Sequence, residues 1–175
     1  MVRYFTLAEA NALLPELTSR LSRALQLQML IQRGINQLGA EDVHVTPALL
    51  AGHEHEDVSN DGEVVLERTR AAYEALYDEM ERIEVLGVQL KGIEQGLVDF
   101  PTLLDGETEV LLCWQLGEPA VGFYHHPHAG FAGRRPVEGC SFQRARSRRP
   151  AIVEAGPIAP EPEAPGSSPR PHPGS

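Results

Sequence analysis

The chain has 175 residues, of which 15 are basic and 25 acidic, so its formal net charge at neutral pH is −10. This length is typical of one domain with appendages. The longest apolar run, residues 110–114, is far too short to span a bilayer, and the N-terminus lacks the apolar stretch of a secretory signal. Two cysteines cannot form a disulfide framework. The composition therefore argues against a membrane or disulfide-stapled protein and predicts a cytoplasmic one with no membrane contacts.

The first predicted element is a helix that begins at Leu7 and ends near Gly39. Residues 6–9, Thr-Leu-Ala-Glu, have the form of a capping box, in which the Thr and Glu side chains bond each other's main-chain N–H groups. Mainly apolar residues then recur at alternating steps of three and four, which places them on one helical face. They are Leu7, Ala10, Leu14, Leu17, Leu21, Ala24, Gln28, Ile31, Ile35 and Leu38. Gly39 is the expected C-terminal cap.

A second helix is predicted after an aperiodic loop at residues 41–62. Asn60 with Glu63 is the expected N-terminal cap, and a second stripe at steps of three and four runs from Leu66 to Leu90. We therefore expect this helix to end near Gln95. Two helices of about 32 residues, about 48 Å each at about 1.5 Å per residue, predict an antiparallel hairpin. The acidic residues of the second helix are expected to face water: Glu67, Glu74, Asp78, Glu81 and Glu84.

The first helix carries more apolar surface than one partner helix can cover. Leu13, Leu25, Leu27 and Leu30 lie outside its main stripe. Either the β-segment or a second copy of the chain must cover them. We therefore predict self-association into a homodimer.

After Gly96 the pattern changes to period two, which is typical of strands. Val110, Leu112 and Trp114 alternate on one face, and Asp105-Gly106 is a turn signal. The predicted fold class is therefore α+β: a long antiparallel two-helix hairpin followed by a small antiparallel β-meander, together one folded domain at residues 1–139.

Residues 140–175 are predicted to be a disordered tail, because proline and small polar residues dominate the segment. Four closely spaced arginines in it, Arg144, Arg146, Arg148 and Arg149, are a feature that nucleic-acid-binding tails share. The net charge of −10 argues against that partner, so we do not expect nucleic-acid binding.

Four ordered sequence strings carry a family resemblance: FTLAEANALLPEL (5–17), GLVDFP (96–101), EVLLCWQLGE (109–118) and FYHHPHAGFAGRRP (123–136). Over roughly residues 4–138 the chain resembles the bacterial family catalogued as domain of unknown function 2203. That family is uncharacterised, so the resemblance implies a shared domain and no particular activity. Where the family commonly has acidic residues after its aromatic-aromatic-His step, this chain has His126, Pro127 and His128.

Four polar residues stand singly among apolar and glycine positions, where a charge is costly to bury without a partner: Asp99, Glu118, His125 and Arg134. They are the candidate ligand-binding residues. Asp99, Glu118 and His125 have side chains that hold divalent metals or act as general acids and bases, and Arg134 suits a carboxylate or phosphate. The structural alternative is an Asp99–Arg134 salt bridge, with His125 bonded to a main-chain carbonyl.

Other residues that bind metals or react as nucleophiles give weaker signals. Cys113 is expected to be a small buried hydrophobe and not a nucleophile. His53 and His55, in an acidic loop, are expected to be solvated. His126 and His128 share one side of a strand, and we expect adventitious metal affinity there instead of a dedicated site. The leading hypothesis is a non-catalytic interaction or assembly module built on the hairpin. The alternative is a small-molecule or divalent-metal-binding protein, possibly an enzyme, that uses the four candidate residues.

Overall fold

The computed structural model describes residues 2–145, and these residues adopt the predicted α+β fold. The helices are α1 (Leu7–Gly39), α2 (Pro47–Leu50) and α3 (Asn60–Val85), with a 3-10 turn at Phe131–Gly133. The strands are β1 (Gln89–Gly92), β2 (Leu97–Leu104), β3 (Thr108–Gln115), β4 (Phe123–His125), β5 (Arg135–Pro136) and β6 (Phe142–Gln143). No helix in this part of the chain is long and apolar enough to cross a membrane.

Helix α1 forms as its sequence pattern predicts. Thr6 accepts a hydrogen bond from the Glu9 N–H, and the Glu9 carboxylate accepts one from the Thr6 N–H, which completes the capping box. The predicted stripe supplies most of the buried residues of the helix. The expected glycine cap is wrong: Gly39 is the last helical residue, and Ala40 caps the helix in a right-handed conformation.

Helix α3 ends at Val85, ten residues before the predicted end. Gly87 has a φ of +86°, which breaks the helix, and the chain then pairs Gln89 with Asp99 as strand β1. The N-terminal cap is Ser59, whose hydroxyl accepts from the Gly62 N–H, and not Asn60. The two arms therefore have 33 and 26 residues, which replaces the expected equal lengths. The five acidic residues of α3 that were predicted to face water are exposed: Glu67, Glu74, Asp78, Glu81 and Glu84.

The hairpin is antiparallel, because residues early in α1 meet residues late in α3. Arg20 contacts Glu79 at 3.2 Å, and Gly34 lies against Thr69 near the other end. Glu79 is only 4 % exposed, forms an ion pair with Arg23 and accepts a hydrogen bond from Arg82, so one buried carboxylate joins the two helices.

The sheet is antiparallel, with strand order β1-β2-β3-β4-β5, and β6 pairs with the end of β2 that β1 leaves free. One face packs against the start of α1 and the end of α3. Its core side chains are Val98, Phe100, Val110, Leu112, Trp114 and Tyr124. Because neighbouring residues of a strand point to opposite faces, Asp99, Cys113 and His125 lie on the other face, which we call the outer face.

The sheet continues past residue 139, where the tail was predicted to begin. Phe142 is 7 % exposed and packs edge-to-face on Tyr124, with ring centroids 5.3 Å apart. This one aromatic side chain holds β6 on the sheet despite the polar composition around it. The rest of the predicted tail, residues 146–175, lies outside the described part of the chain.

A second, smaller core fills the far end of the hairpin, where α2 and the loop residue Val43 pack on α1 and α3. Leu27 packs against this core and Leu13 against the sheet core, so the chain itself covers two of the four extra leucines. Leu30 stays 46 % exposed and its neighbour Met29 57 %.

We expect Gly34→Ala to destabilise the fold, because an added Cβ would overlap the Thr69 side chain. The free energy of unfolding should fall by about 1–3 kcal/mol through overpacking. The matched control is Gly39→Ala, also in α1, where a Cβ meets open space. That variant should be unchanged or up to about 1 kcal/mol more stable, since alanine favours helix. Urea unfolding followed by circular dichroism measures both, and equal effects would contradict the close helix approach.

Candidate functional site

The four candidate residues lie around Cys113. Asp99 pairs with Cys113 across β2 and β3, and His125 ends β4, the next strand. Arg134 follows the 3-10 turn, and its guanidinium donates to the Cys113 carbonyl oxygen at 3.2 Å. Glu118 lies in the β3–β4 connection and contacts Arg134 at 2.7 Å. The tertiary structure thus brings all four together, through a residue that the sequence pattern did not select.

Asp99, Cys113 and His125 form the centre of the site, which we call the buried cluster. Their side chains offer a carboxylate oxygen, a sulfur and a ring nitrogen that all lie within 4.8 Å of one another. The three residues are 1 %, 0 % and 3 % exposed. His125 Nε2 is 3.2 Å from Asp99 Oδ2, and the Lys91 ammonium is 3.8 Å from the same oxygen.

The hydrogen bonds of His125 assign its ring hydrogens. Nδ1 is 2.9 Å from the main-chain carbonyl oxygen of His126, and a carbonyl oxygen can only accept, so Nδ1 carries a hydrogen. In the neutral ring Nε2 then holds a lone pair, and that lone pair faces a carboxylate oxygen. Two acceptors this close need a proton or a cation between them.

Asp99 has a second unsatisfied feature. Its other carboxylate oxygen, Oδ1, is buried and has no hydrogen-bond partner within residues 2–145. A buried carboxylate oxygen without a partner costs free energy, so native proteins normally pair it with a donor, a water molecule or a metal. Within the described residues, Asp99 Oδ1 is therefore an unpaired acceptor that a cation can bind.

Cys113 is not an active nucleophile in this environment. Burial, reinforced by the negative charge of Asp99, raises the pKa of its thiol to about 12, although Arg134 acts in the opposite direction. The thiol therefore stays protonated at neutral pH in the absence of a metal. The expectation of a buried, unreactive side chain agrees with this pKa, but the strand pattern alone did not show that its sulfur lies beside Asp99 and His125.

Arg134 is paired with Glu118 and not with Asp99, so the expected Asp99–Arg134 salt bridge is wrong. Its two terminal nitrogens donate to the two Glu118 oxygens at 2.7 and 2.9 Å. The guanidinium also lies 4.6 Å from the Phe123 ring centroid and 4.4 Å from that of Phe131. This two-ring sandwich and the fork geometry fix the guanidinium in one position.

Glu118 therefore has a structural partner and lies outside the buried cluster. Burial raises its pKa, but hydrogen bonds from Arg134 and from the Gln115 N–H outweigh that effect and hold the pKa below its usual range. Of the three metal candidates from the sequence, Asp99 and His125 lie together, whereas the third possible ligand beside them is Cys113 and not Glu118.

The fold is an α+β fold, in which a hairpin of unequal helices packs on a six-stranded antiparallel sheet. The candidate site is the buried Asp-Cys-His cluster on the outer face of that sheet, away from the helices. The chain belongs to the family described as "Uncharacterized conserved protein (DUF2203)", whose model matches residues 3–137. This match confirms the resemblance found in the sequence strings. No curated protein and no solved structure gives a significant match to the chain.

We expect Glu118→Gln to weaken the fold at neutral pH and to flatten its acid sensitivity. The lowered pKa of Glu118 means that its pairing stabilises the protein above the ordinary value of 4.5 and is lost as pH falls through the lower folded value. The free energy of unfolding at pH 7 should fall by about 1–3 kcal/mol. Urea unfolding between pH 7 and pH 3 tests this, with the exposed Glu138→Gln as control. A variant as acid-sensitive as the wild type would contradict the pairing.

Proposed function

We propose that this protein binds one divalent transition-metal ion, with zinc as the best fit, through Asp99, Cys113 and His125. The observation that carries the proposal is the close grouping of three possible ligand atoms: His125 Nε2 and Asp99 Oδ2 are 3.2 Å apart, and the Cys113 sulfur lies beside them. With the ring neutral, a cation among these three atoms is bound by all of them, whereas with Nε2 protonated the ring donates to Asp99 instead.

The hydrogen bond on the far side of His125 supports this reading. A metal-binding histidine usually donates its other N–H to a carbonyl or carboxylate, which fixes the ring for coordination. The Nδ1 contact with the His126 carbonyl has this form and makes Nε2, which faces Asp99, the nitrogen that would bind the metal. The unpartnered Asp99 Oδ1 adds a second acceptor to the same place.

The donor set selects the class of metal. One sulfur, one imidazole nitrogen and one carboxylate oxygen suit zinc and similar borderline ions, whereas calcium and magnesium prefer oxygen alone. Zinc holds such atoms at about 2.0–2.3 Å, so the ligands of one ion lie roughly 3–4 Å apart. The separations within 4.8 Å need only small side-chain adjustments to reach that distance.

The charges also fit a dication. A bound metal displaces the Cys113 proton, so thiolate and carboxylate together neutralise two positive charges. Lys91, whose side chain is 41 % exposed, can then turn from Asp99 toward water. Nearly complete burial leaves little space for a substrate, so we propose a held ion and a non-catalytic role. A cytoplasmic location is part of the proposal, since both cysteines are free thiols.

Purified protein without an affinity tag should contain about one zinc per chain, or take up one Co²⁺ with the near-ultraviolet absorption of a cobalt–sulfur bond. Cys113→Ser should remove that absorption, and Asp99→Asn or His125→Gln should weaken binding by at least about tenfold. Elemental analysis and cobalt titration measure these effects.

The controls are Cys140→Ser and His128→Gln, which change a thiol and an imidazole outside the buried cluster. Circular dichroism of each metal-free variant separates lost binding from lost folding. A wild-type chain that folds and takes up neither ion would overturn the proposal, and so would controls that lose the metal as completely as the cluster variants.

The second candidate function is assembly through the hairpin, and here we propose a second copy of the chain as the occupant. Two grooves lie on one face of α1 and α3. The groove far from the sheet is lined by Arg33 and Arg68. The groove near the sheet is lined by Asp78 and Glu81, and also by Arg20 and Arg82, whose charges are paired with Glu79. Arg33, Arg68, Asp78 and Glu81 have no ion pair within residues 2–145.

A copy related by a twofold axis across this face runs antiparallel to the first. Its basic groove then meets the acidic groove of its partner, twice per dimer. The exposed Leu30 lines the basic groove and supplies apolar contact area there. Charge complementarity of this kind favours an antiparallel homodimer.

Light scattering at micromolar concentration should therefore give the mass of two chains, and that mass should fall as salt screens the contacts. Reversing the basic groove with Arg33→Glu and Arg68→Glu should give monomers. Adding Asp78→Arg and Glu81→Arg to the same chain should restore the dimer. Arg135→Glu, on strand β5, is the control. A wild-type monomer would contradict the assembly candidate and leave the metal proposal standing.

A further inference from the structure

We infer that residues 126–134, the connection between β4 and β5, form a cover over the buried cluster, and that the Arg134–Glu118 pair is the latch that controls metal exchange. This inference rests on the proposed metal site. It assigns Arg134 and Glu118 a positioning and gating role, which differs from the ligand-binding role expected from the sequence.

The first observation is burial on a face that none of the helices within residues 2–145 covers. Asp99, Cys113 and His125 point away from α1 and α3, yet each is at most 3 % exposed. The connection leaves β4 at His125 and returns to the sheet at Arg135, which pairs with Tyr124. Arg134 contacts the Cys113 carbonyl and the Phe123 ring on the way. The connection therefore lies next to the cluster at both of its ends.

The second observation is how the cover is held. Its main-chain hydrogen bonds are local: the N–H groups of Ala129, Gly133 and Arg134 donate to carbonyls three residues earlier. From residue 127 to residue 133, no hydrogen bond found in the described structure reaches another element. Arg134 alone supplies three, two to Glu118 and one to Cys113. Residues 127–132 are also exposed.

The third observation concerns the directions from which an ion can reach the cluster. On the inner side, the sheet is sealed by the main core, which includes the fully buried Phe100, Leu112 and Trp114. A metal ion that carries water cannot pass through such packing. It must approach the cluster from the outer face, where the connection lies on the His125 side and the half-exposed Lys91 on the Asp99 side. Segments with few contacts open at low free-energy cost, so a single latch can set the rate of opening.

A gate and a ligand support differ in their kinetics. If the latch controls access, weakening it accelerates uptake and release together, and the equilibrium affinity changes little. If Arg134 only supports the ligands, its loss accelerates release and leaves uptake unchanged. The two rates of one metal therefore separate the two roles.

The test uses the full chain and Co²⁺ as the probe. Stopped-flow absorption on mixing gives the rate of uptake, and excess EDTA gives the rate of release. Arg134→Lys and Glu118→Gln break the two-pronged contact and should raise both rates by about tenfold or more. Arg135→Lys is the matched control, because Arg135 is exposed and adjacent in the chain, and its rates should equal those of the wild type.

Circular dichroism of the metal-free variants verifies folding. If Arg134→Lys does not fold, Glu118→Gln and the milder Phe131→Leu, which removes one ring of the sandwich, carry the test. If the wild type binds one Co²⁺ and every folded latch variant takes it up and releases it at the wild-type rates, the gate is overturned and the metal site stands. Faster release with unchanged uptake also overturns the gate. A wild type that takes up no Co²⁺ overturns the proposed function, and the gate with it.

Discussion

The antiparallel pairing of β2 with β3 is the contact on which the rest of the structure depends. It runs over eight residue pairs, and its register sets Phe100 against Leu112 on the inner face and Asp99 against Cys113 on the outer face. A shift by one residue would exchange the two faces, so that charged groups would enter the core and aromatic groups would leave it. The hairpin core and the candidate metal site are therefore two consequences of one register.

Within the described part of the chain, the fold buries two carboxylates, and their charges are compensated to different degrees. Glu79, between the helices, is surrounded by three guanidinium groups, so its charge is compensated within the chain. Asp99 has one imidazole and a more distant ammonium, and one of its oxygens has no partner in the described residues. A buried anion that is only partly paired is a common mark of a functional position, because its remaining demand can be met by a ligand.

The proposed functions use different parts of the molecule. The metal proposal depends on the outer face of the sheet and on the connection that covers it, whereas assembly depends on one face of the hairpin. The main core lies between these regions, so variants that change one need not affect the other. This separation makes the metal content and the oligomeric state independent measurements of the same protein.

The local elements were readable from the sequence, because they depend on neighbours in the chain. The Thr6 capping box, the stripe of α1 and the alternation of β3 all follow from residues within a few positions of one another. The end of α3 was missed, since β1 happens to continue the helical spacing at Leu90 and only its pairing with β2 identifies it as a strand.

The site depended on the tertiary structure for the same reason. Asp99 and His125 stood out in the sequence as isolated polar residues. Only the pairing of β2, β3 and β4 places Cys113 beside both of them, and only the tertiary structure pairs Arg134 with Glu118. The sequence by itself determined the α+β class and the residues with unusual chemistry. Which of them meet was decided by sheet pairing, because contacts between distant segments leave no local pattern in the chain.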